Sequence, residues 1–312
     1  MSKKTLIALI LLQFCLVVQA QQDPQFTFYK EAELLYNPAI AGASREVHAA
    51  FLNRNQWSGL EGAPTTMLFS VDSPMDFLIK NSGLGFNVMR DELGFESTTL
   101  FMLDFSYRLE QKWGMMGFGF SLGMFNKDIN GEWTVPEGSN YSSGDDLLPE
   151  GEVSEVAFDA GIGAFLKVEK LYLSLGLTHV NQAEIMISDK AYTFYKRHYH
   201  LQGSYRFNPL SEKIRVEPSF LYKGDFSGSQ LDLNADVHYK DKFAAGLGYR
   251  MNDGIIIRIK TQLKNGISVG YAYDLTTSAL AAYSSGSHEF YVAYSFAFQK
   301  PKAKAYKSVR YL

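Results

Sequence analysis

The chain has 312 residues and a formal charge of -3, which argues against a nucleic-acid protein, usually basic overall or along one patch. Hydrophobic residues make up only 46%, yet 14% are aromatic, with 23 Phe and 19 Tyr beside 26 Gly. No apolar run after residue 20 is long enough for a membrane helix, so the composition excludes a helical-bundle membrane protein and suits a β-rich chain.

The first element in chain order is a secretory signal. Lys3 and Lys4 form a positive n-region, the stretch from Thr5 to Val18 is apolar, and Val18-Gln19-Ala20 offers a cleavage site. Residues 1–20 are therefore expected to be removed after Ala20, which takes the formal charge from -3 to -5. The only cysteine, Cys15, leaves with them, so disulfides play no part in the expected mature chain. Residues 21–45 carry turn signals at Asn37-Pro38 and Ala41-Gly42. They read either as a loose periplasmic tail or as a segment that enters or caps the lumen.

From residue 46 the chain alternates. In the last run Phe290, Val292, Tyr294, Phe296 and Phe298 interleave with Glu289, Tyr291, Ala293, Ser295 and Ala297, so one strand face is bulky and apolar and the other small or polar. Leu231-Leu233-Ala235-Val237 against Asp232-Asn234-Asp236-His238 repeats the pattern. The helical spacing i, i+3, i+4 is missing. About fourteen strands follow, near 46–54, 65–72, 82–90, 97–109, 114–126, 153–167, 171–180, 194–207, 213–223, 229–240, 243–251, 254–263, 267–275 and 287–298. Most are long enough for a tilted membrane strand, which needs about 9–11 residues. The connections form two sets by parity: 73–81, 110–113, 168–170, 208–212, 240–242 and 264–266, most of them three to five residues, and 55–64, 91–96, 127–152, 181–193, 224–228, 252–253 and 276–286, longer on the whole. Short turns at one end and long loops at the other mark an outer-membrane barrel. The expected fold is all-β, a transmembrane antiparallel up-and-down β-barrel of about fourteen strands over 46–298. An even count returns the chain to its starting side, so both termini are expected in the periplasm. A basic tail follows at 299–312, with Lys300, Lys302, Lys304, Lys307 and Arg310, either solvated or touching a partner or lipid headgroups.

No catalytic, cofactor or metal motif stands out, and no enzyme activity or cofactor is expected. His198 and His200 share the lumen side of one strand with Gln202, Ser204 and Arg206, but no carboxylate or Cys partner lies nearby in sequence. The acidic residues Asp145, Asp146, Glu150 and Glu152 in the long loop do not match an EF-hand, so a solvated acidic loop is the better reading. The inferred lumen carries Asp159, Lys167, Arg215, Glu217, Asp232, Asp236, Arg250, Arg258, Lys260, Asp274 and Glu289. Such mixed charge suits a water-filled pore or a cross-linked interior, and fourteen strands lie between side-chain-filled barrels and open channels. Glycines on the inward face leave room for other lumen groups.

The segments Gln22-Asp23-Pro24-Gln25-Phe26, Asn37-Pro38-Ala39-Ile40-Ala41-Gly42, Arg54-Asn55-Gln56-Trp57, Gly62-Ala63-Pro64-Thr65-Thr66, Ser70-Val71-Asp72-Ser73-Pro74, Gly83-Leu84-Gly85 and Asp91-Glu92-Leu93-Gly94 occur in that order. Together they resemble the PorP/SprF family of Bacteroidota, over residues 22–94. The resemblance implies an outer-membrane component of the type IX secretion system. It would support export or surface attachment of large adhesins with a C-terminal sorting domain, linked in some organisms to gliding motility. Its implied partners are such an adhesin, other type IX components and the bilayer, with no nucleic acid. The alternative is a substrate-specific pore or hydrophobic-solute transporter. The candidate structural or partner-contact residues are Asp23, Pro24, Asn37, Pro38, Gly42, Arg54, Gln56, Trp57, Gly62, Ala63, Pro64, Thr65, Asp72 and Pro74. Trp57 and the Gly-Ala-Pro turn would order the first long loop or meet a partner, and Arg54 would pair with a lumen acid.

Overall fold

The computed structural model describes residues 23–131, 151–187, 190–193, 195–225 and 227–297. The signal region 1–20, the tail 299–312 and the loop residues Asp145, Asp146 and Glu150 lie outside them.

Fourteen antiparallel strands close into a barrel. They are β1 (Val47–Asn55), β2 (Thr65–Pro74), β3 (Ser82–Leu93), β4 (Glu96–Gln111), β5 (Gly114–Gly131), β6 (Gly151–Val168), β7 (Leu171–Thr178), β10 (His198–Tyr205) with its continuation β11 (Phe207–Ser211), β12 (Ile214–Gly224), β13 (Ser229–Tyr239), β14 (Phe243–Arg250), β15 (Gly254–Gln262), β16 (Ile267–Thr276) and β17 (Ser287–Phe296). Each strand pairs with its chain neighbours, and β1 closes onto β17 with Val47 opposite Phe296 and Asn55 opposite His288. Closure leaves no edge, which a lipid environment requires, because unpaired backbone groups have no water there.

Period-2 alternation sets which side faces out. Phe290, Val292, Tyr294 and Phe296 on β17 are exposed on the outer surface, and Tyr291 and Ala293 between them are buried. Leu103, Leu122, Phe158, Leu247 and Ile257 continue the same apolar outer belt.

The structure departs from the sequence expectation in four places. First, β5 runs to Gly131 and β6 starts at Gly151, so this hairpin extends past the expected loop boundary at 127–152. Asn126 pairs with Val156 and continues to Gly131 opposite Gly151, because backbone pairing needs no apolar outer face. Second, the expected strand 194–207 is interrupted at Arg206, whose N–H donates to Lys170 O (3.0 Å) instead of to the ladder. Third, the 181–193 stretch, expected to be a plain loop, carries a two-stranded hairpin, β8 (Glu184–Ile187) with β9 (Lys190–Thr193). Fourth, the inner face is not uniformly small or polar. Leu52, Leu68, Met89, Leu100, Met102 and Phe125 all point into the lumen and are buried there.

The lumen is filled by residues 23–45. They include a four-residue helix, α1 (Glu33–Tyr36), and a 3-10 turn at Pro38–Ile40. Phe26, Phe28, Ala32 and Tyr36 join the lumen-facing Leu52, Leu68, Met102 and Phe125 in one apolar cluster, with Ile185 of β8 packed into it from the long-loop end. Hairpin β8–β9 thus lies over the same core as the internal segment.

The start of the barrel and the start of the described chain lie at opposite ends of the lumen. The start of β1 and the end of β17 do share the short-turn end, where Val47 meets Phe296. The described chain, however, begins at Asp23, which contacts Thr178, His198 and Lys223 near the long-loop ends of β7, β10 and β12. The chain then descends through Lys30 and Glu31 to the short-turn half, rises to Tyr36 and returns at Gly42. An even strand count fixes where β1 begins, not where the segment before it lies.

Candidate functional site

The internal segment is held at three places. At the long-loop end, three histidines converge on Asp23. His179 Nε2 lies 3.1 Å from Asp23 Oδ1, His200 Nε2 lies 3.2 Å from Oδ2, and His198 Nδ1 lies 3.5 Å from Oδ1. Thr178 Oγ1 donates to Oδ2 (3.0 Å), and Lys223 Nζ donates to the Asp23 carbonyl (3.0 Å). His179 Nδ1 lies 2.8 Å from Asp159. The rings of Tyr36 and Tyr195 stack on His200 and His179. Burial alone would raise the Asp23 carboxyl, but the charges of His179 and His198 and the hydrogen bonds from His179 and His200 hold it well below the usual carboxylate range. Burial would lower His179, but Asp23 and the hydrogen bond with Asp159 push it up to about 10. Among the described residues, no group of three or more His, Cys, Asp or Glu side chains is arranged to hold a metal ion.

The second place is a buried ion network from five strands. Arg54 on β1 pairs with Asp274 (2.8 Å) and Glu289 (3.2 Å). Arg250 on β14 pairs with Asp232 (3.0 Å) and Asp274 (2.5 Å). Thr27 sits at its centre. Its hydroxyl donates to Asp274 and accepts from Arg54 (2.8 Å), and its N–H and that of Phe28 donate to Glu289 (2.7 and 2.9 Å). The segment's own backbone thus completes the hydrogen bonding of charges that would otherwise be costly to bury. Below it, Lys30 bridges Glu217 (3.0 Å) and Asp236 (3.1 Å), Arg258 grips Asp236, and Tyr29 donates to Ser219 (2.7 Å).

The third place is the Asn37–Gly42 turn. Asn37 Oδ1 accepts from Ala39 N (2.9 Å), capping the 3-10 turn that Pro38 opens. Its Nδ2 donates to Ala164 O (3.0 Å) and Ser174 Oγ (2.7 Å). Glycines of the wall make this close approach possible: a Cβ on Gly176 would fall 1.9 Å from Tyr36 O, and one on Gly119 would fall 2.5 Å from Ala39 N. Gly42 adopts φ +64 and donates its N–H to Asp72 Oδ2 (2.7 Å), while Ser106 and Arg108 donate to Ala41 O. Nearby, the buried carboxyl of Glu33 accepts from the Tyr172 hydroxyl, and burial pushes its pKa up.

The residues singled out from sequence therefore divide into two groups. Asp23, Asn37, Pro38, Gly42, Arg54 and Asp72 all hold the internal segment in place. Pro24 adds its carbonyl, which accepts from Tyr36 OH (3.2 Å), and Pro74 packs under Gly42. The second group builds the loop between β1 and β2. Gln56 N–H donates to Pro64 O (2.9 Å), Trp57 at φ +49 donates its N–H to Ser287 Oγ (3.0 Å), Ala63 N–H donates to Leu60 O (3.3 Å), and Gly62 O accepts from Gly94 (3.0 Å). Thr65 then opens β2 opposite Asn55. Ser58 exchanges backbone hydrogen bonds with Gly286 and Ser285, so loops 56–64 and 277–286 form one rim. Of the inferred lumen charges, Asp159, Glu217, Asp232, Asp236, Arg250, Arg258, Asp274 and Glu289 are buried as a cross-linked interior. Lys167 lies near the short-turn mouth. Thr27 and His179 gave no signal in the sequence. The missing partner of His198 and His200 proves to be Asp23, 175 and 177 residues away.

The profile of the family described as type IX secretion system membrane protein PorP/SprF matches residues 18–294. No curated protein matches the sequence. Among solved structures, Omp33 of Acinetobacter baumannii is 8% identical, with 80% of this chain and 98% of that one covered at a TM-score of 0.48. The toluene transporter TbuX of Ralstonia pickettii is 10% identical, with 86% and 94% covered at 0.49. These likenesses carry no argument about function.

Proposed function

The chain belongs to the PorP/SprF family of type IX secretion system membrane proteins, an outer-membrane barrel, and from that premise we propose that it is a scaffold rather than a conduit. In this reading it supports the export or surface attachment of a large adhesin with a C-terminal sorting domain, of the gliding-motility type, and catalyses no reaction. The signal peptide 1–20 is removed, and both the short turns and the basic tail 299–312 face the periplasm.

One observation carries the reading: the lumen is occupied by the chain's own residues 23–45, tied to the wall by Thr27 and Phe28 hydrogen-bonded into its buried ion network and by the Asp23–histidine and Lys30–carboxylate contacts. A barrel filled in this way offers its rim, not its bore. That rim is made by loops 56–64 and 277–286, and the second half of the family motif builds it. It is exposed and apolar at Leu60 and Tyr283, and Leu93 and Phe95 extend it along the β3–β4 turn. Ordered loops on a rigid barrel suit partner binding. The alternative, a solute pore, requires the internal segment to leave.

The test is to recover the tagged protein from detergent-solubilised outer membranes of its host and identify what accompanies it by mass spectrometry. Recovery of a sorting-domain adhesin or of type IX components supports the reading. An unchanged set of surface proteins in a deletion strain, with solute uptake lost, overturns it in favour of the pore.

A further inference from the structure

A cavity of about 260 Å³ lies at the short-turn end, between the internal segment and strands β12 to β15. Six basic side chains line it: Lys30, Arg206, Arg215, His238, Arg258 and Lys260. Three carboxylates face them, Glu31, Glu217 and Asp236. These acids are already engaged. Glu217 accepts from Lys30 and Arg206 (both 3.0 Å), Asp236 is held by Arg258 (2.7 Å), and Glu31 is paired with Lys260.

Two nitrogens are left over. Arg215 Nε and His238 Nε2 are both buried without a hydrogen-bond partner among the described residues. Both stand 3.9 Å from the same oxygen, Glu217 Oε2, too far for a hydrogen bond. Arg215 turns its other end outward to Asp241. Buried polar groups are nearly always satisfied, and two that converge from adjacent strands, which pair Arg215 with His238, mark a place for a shared acceptor. The turns beside the mouth carry Lys213, Lys240 and Lys242 against Glu212 and Asp241, a small positive excess.

We propose that this cavity is an oxyanion site that takes a phosphate group, with Arg215 and His238 as the specific donors and Arg206, Lys30 and Lys260 as the surrounding charge. Arginine forks match phosphate oxygens in geometry as well as charge. The group comes either from a small soluble phosphate or from a lipid headgroup. Because Lys30 belongs to the internal segment and the donors to the wall, bound phosphate ties the two together and stabilises the filled barrel by linkage. This inference is independent of the adhesin reading.

The experiment uses the full mature protein in nanodiscs. Pyrophosphate is titrated by calorimetry in phosphatidylcholine discs. Saturable binding in phosphatidylcholine, weakened roughly tenfold in Arg215→Gln and in His238→Gln, supports the site. Displacement of pyrophosphate by inorganic phosphate but not by short-chain phosphatidylglycerol, both at high ionic strength, assigns a soluble phosphate, and displacement by the short-chain lipid assigns a lipid headgroup. Arg90→Gln, which removes an exposed pair with Glu92 on β3, serves as the control and leaves Kd unchanged. Heat-modifiable migration in gels confirms that each variant is folded. Absence of saturable binding in phosphatidylcholine discs, or equal binding by both variants and the wild type, overturns the proposal.

Discussion

The lumen has two unlike walls. Strands β12 to β17 present Glu217, Asp232, Asp236, Arg250, Arg258, Asp274 and Glu289, and they hold the internal segment by its backbone and its polar side chains. Strands β1 to β5 present Leu52, Leu68, Met89, Leu100, Met102 and Phe125 in their long-loop half, and these join Phe26, Phe28 and Tyr36 in one apolar cluster, while Asp72, Asp104 and Arg108 are buried in their short-turn half. The charged wall is specific and intolerant, since each buried charge depends on a named partner. The apolar wall is tolerant, since its stabilisation scales with area and fit. Arg54 crosses the divide, because β1 lies beside β17 and delivers a cation to Asp274 and Glu289.

The largest expected effect is on the charged wall. Arg250→Met leaves Asp232 and Asp274 without their shared cation, and should destabilise the filled barrel by about 3–5 kcal/mol. Proteinase K cleavage between residues 23 and 45 should rise sharply. On the other wall, Leu68→Ala should cost about 2–5 kcal/mol, while Leu68→Met should cost less than about 1.5 kcal/mol. Equal sensitivity to Leu68→Met and Arg250→Met would erase the distinction between the walls. Outside the barrel, Leu103→Arg puts a cation on the apolar outer belt, and folding into lipid should weaken by about 2–4 kcal/mol if the site lies at mid-depth. Urea titration in vesicles measures it.

The most local effect is the pH dependence of the Asp23 latch, where Asp23 and Asp159 face His179, His198, His200 and Lys223. The depressed Asp23 carboxyl contributes stability that is present above pH ~4 and lost as pH falls through its lower folded value. The raised His179 contributes stability that is complete below pH ~6.5 and lost as pH rises through about 10. Protection of residues 23–30 from protease should therefore decline between pH 7 and pH 10, and His179→Gln should flatten that decline. A profile that His179→Gln leaves unchanged would remove His179 from the latch.

Much of the barrel was legible because alternation is a local signal. Glu289, Asp274 and Asp232 read as lumen residues from their immediate neighbours alone. The filling was not legible in the same way. Thr27 meets Glu289 across 262 residues, and Asp23 meets His198 across 175, so no window of sequence holds both partners. Leu68 and Met102 are a different case: an inward apolar residue has no evident role until something apolar is packed against it. Inward glycines leave room for other lumen groups, but only the fold shows that Tyr36 and Ala39 of the internal segment take the room at Gly176 and Gly119. The motif Asp23-Pro24, Asn37-Pro38 and Gly42 was visible as a pattern, and its physical content, docking of the segment to the wall, became visible only with the fold.

The central claim is that residues 23–45 fill the bore. Single-channel recording in planar bilayers tests it most directly, with the intact protein compared against Gly176→Val, whose side chain would collide with the Tyr36 carbonyl and drive out the Asn37 turn. The intact barrel should give no sustained conductance, and Gly176→Val should give openings. Steady conductance through the intact protein, at the level expected of an open fourteen-stranded pore, would contradict the account.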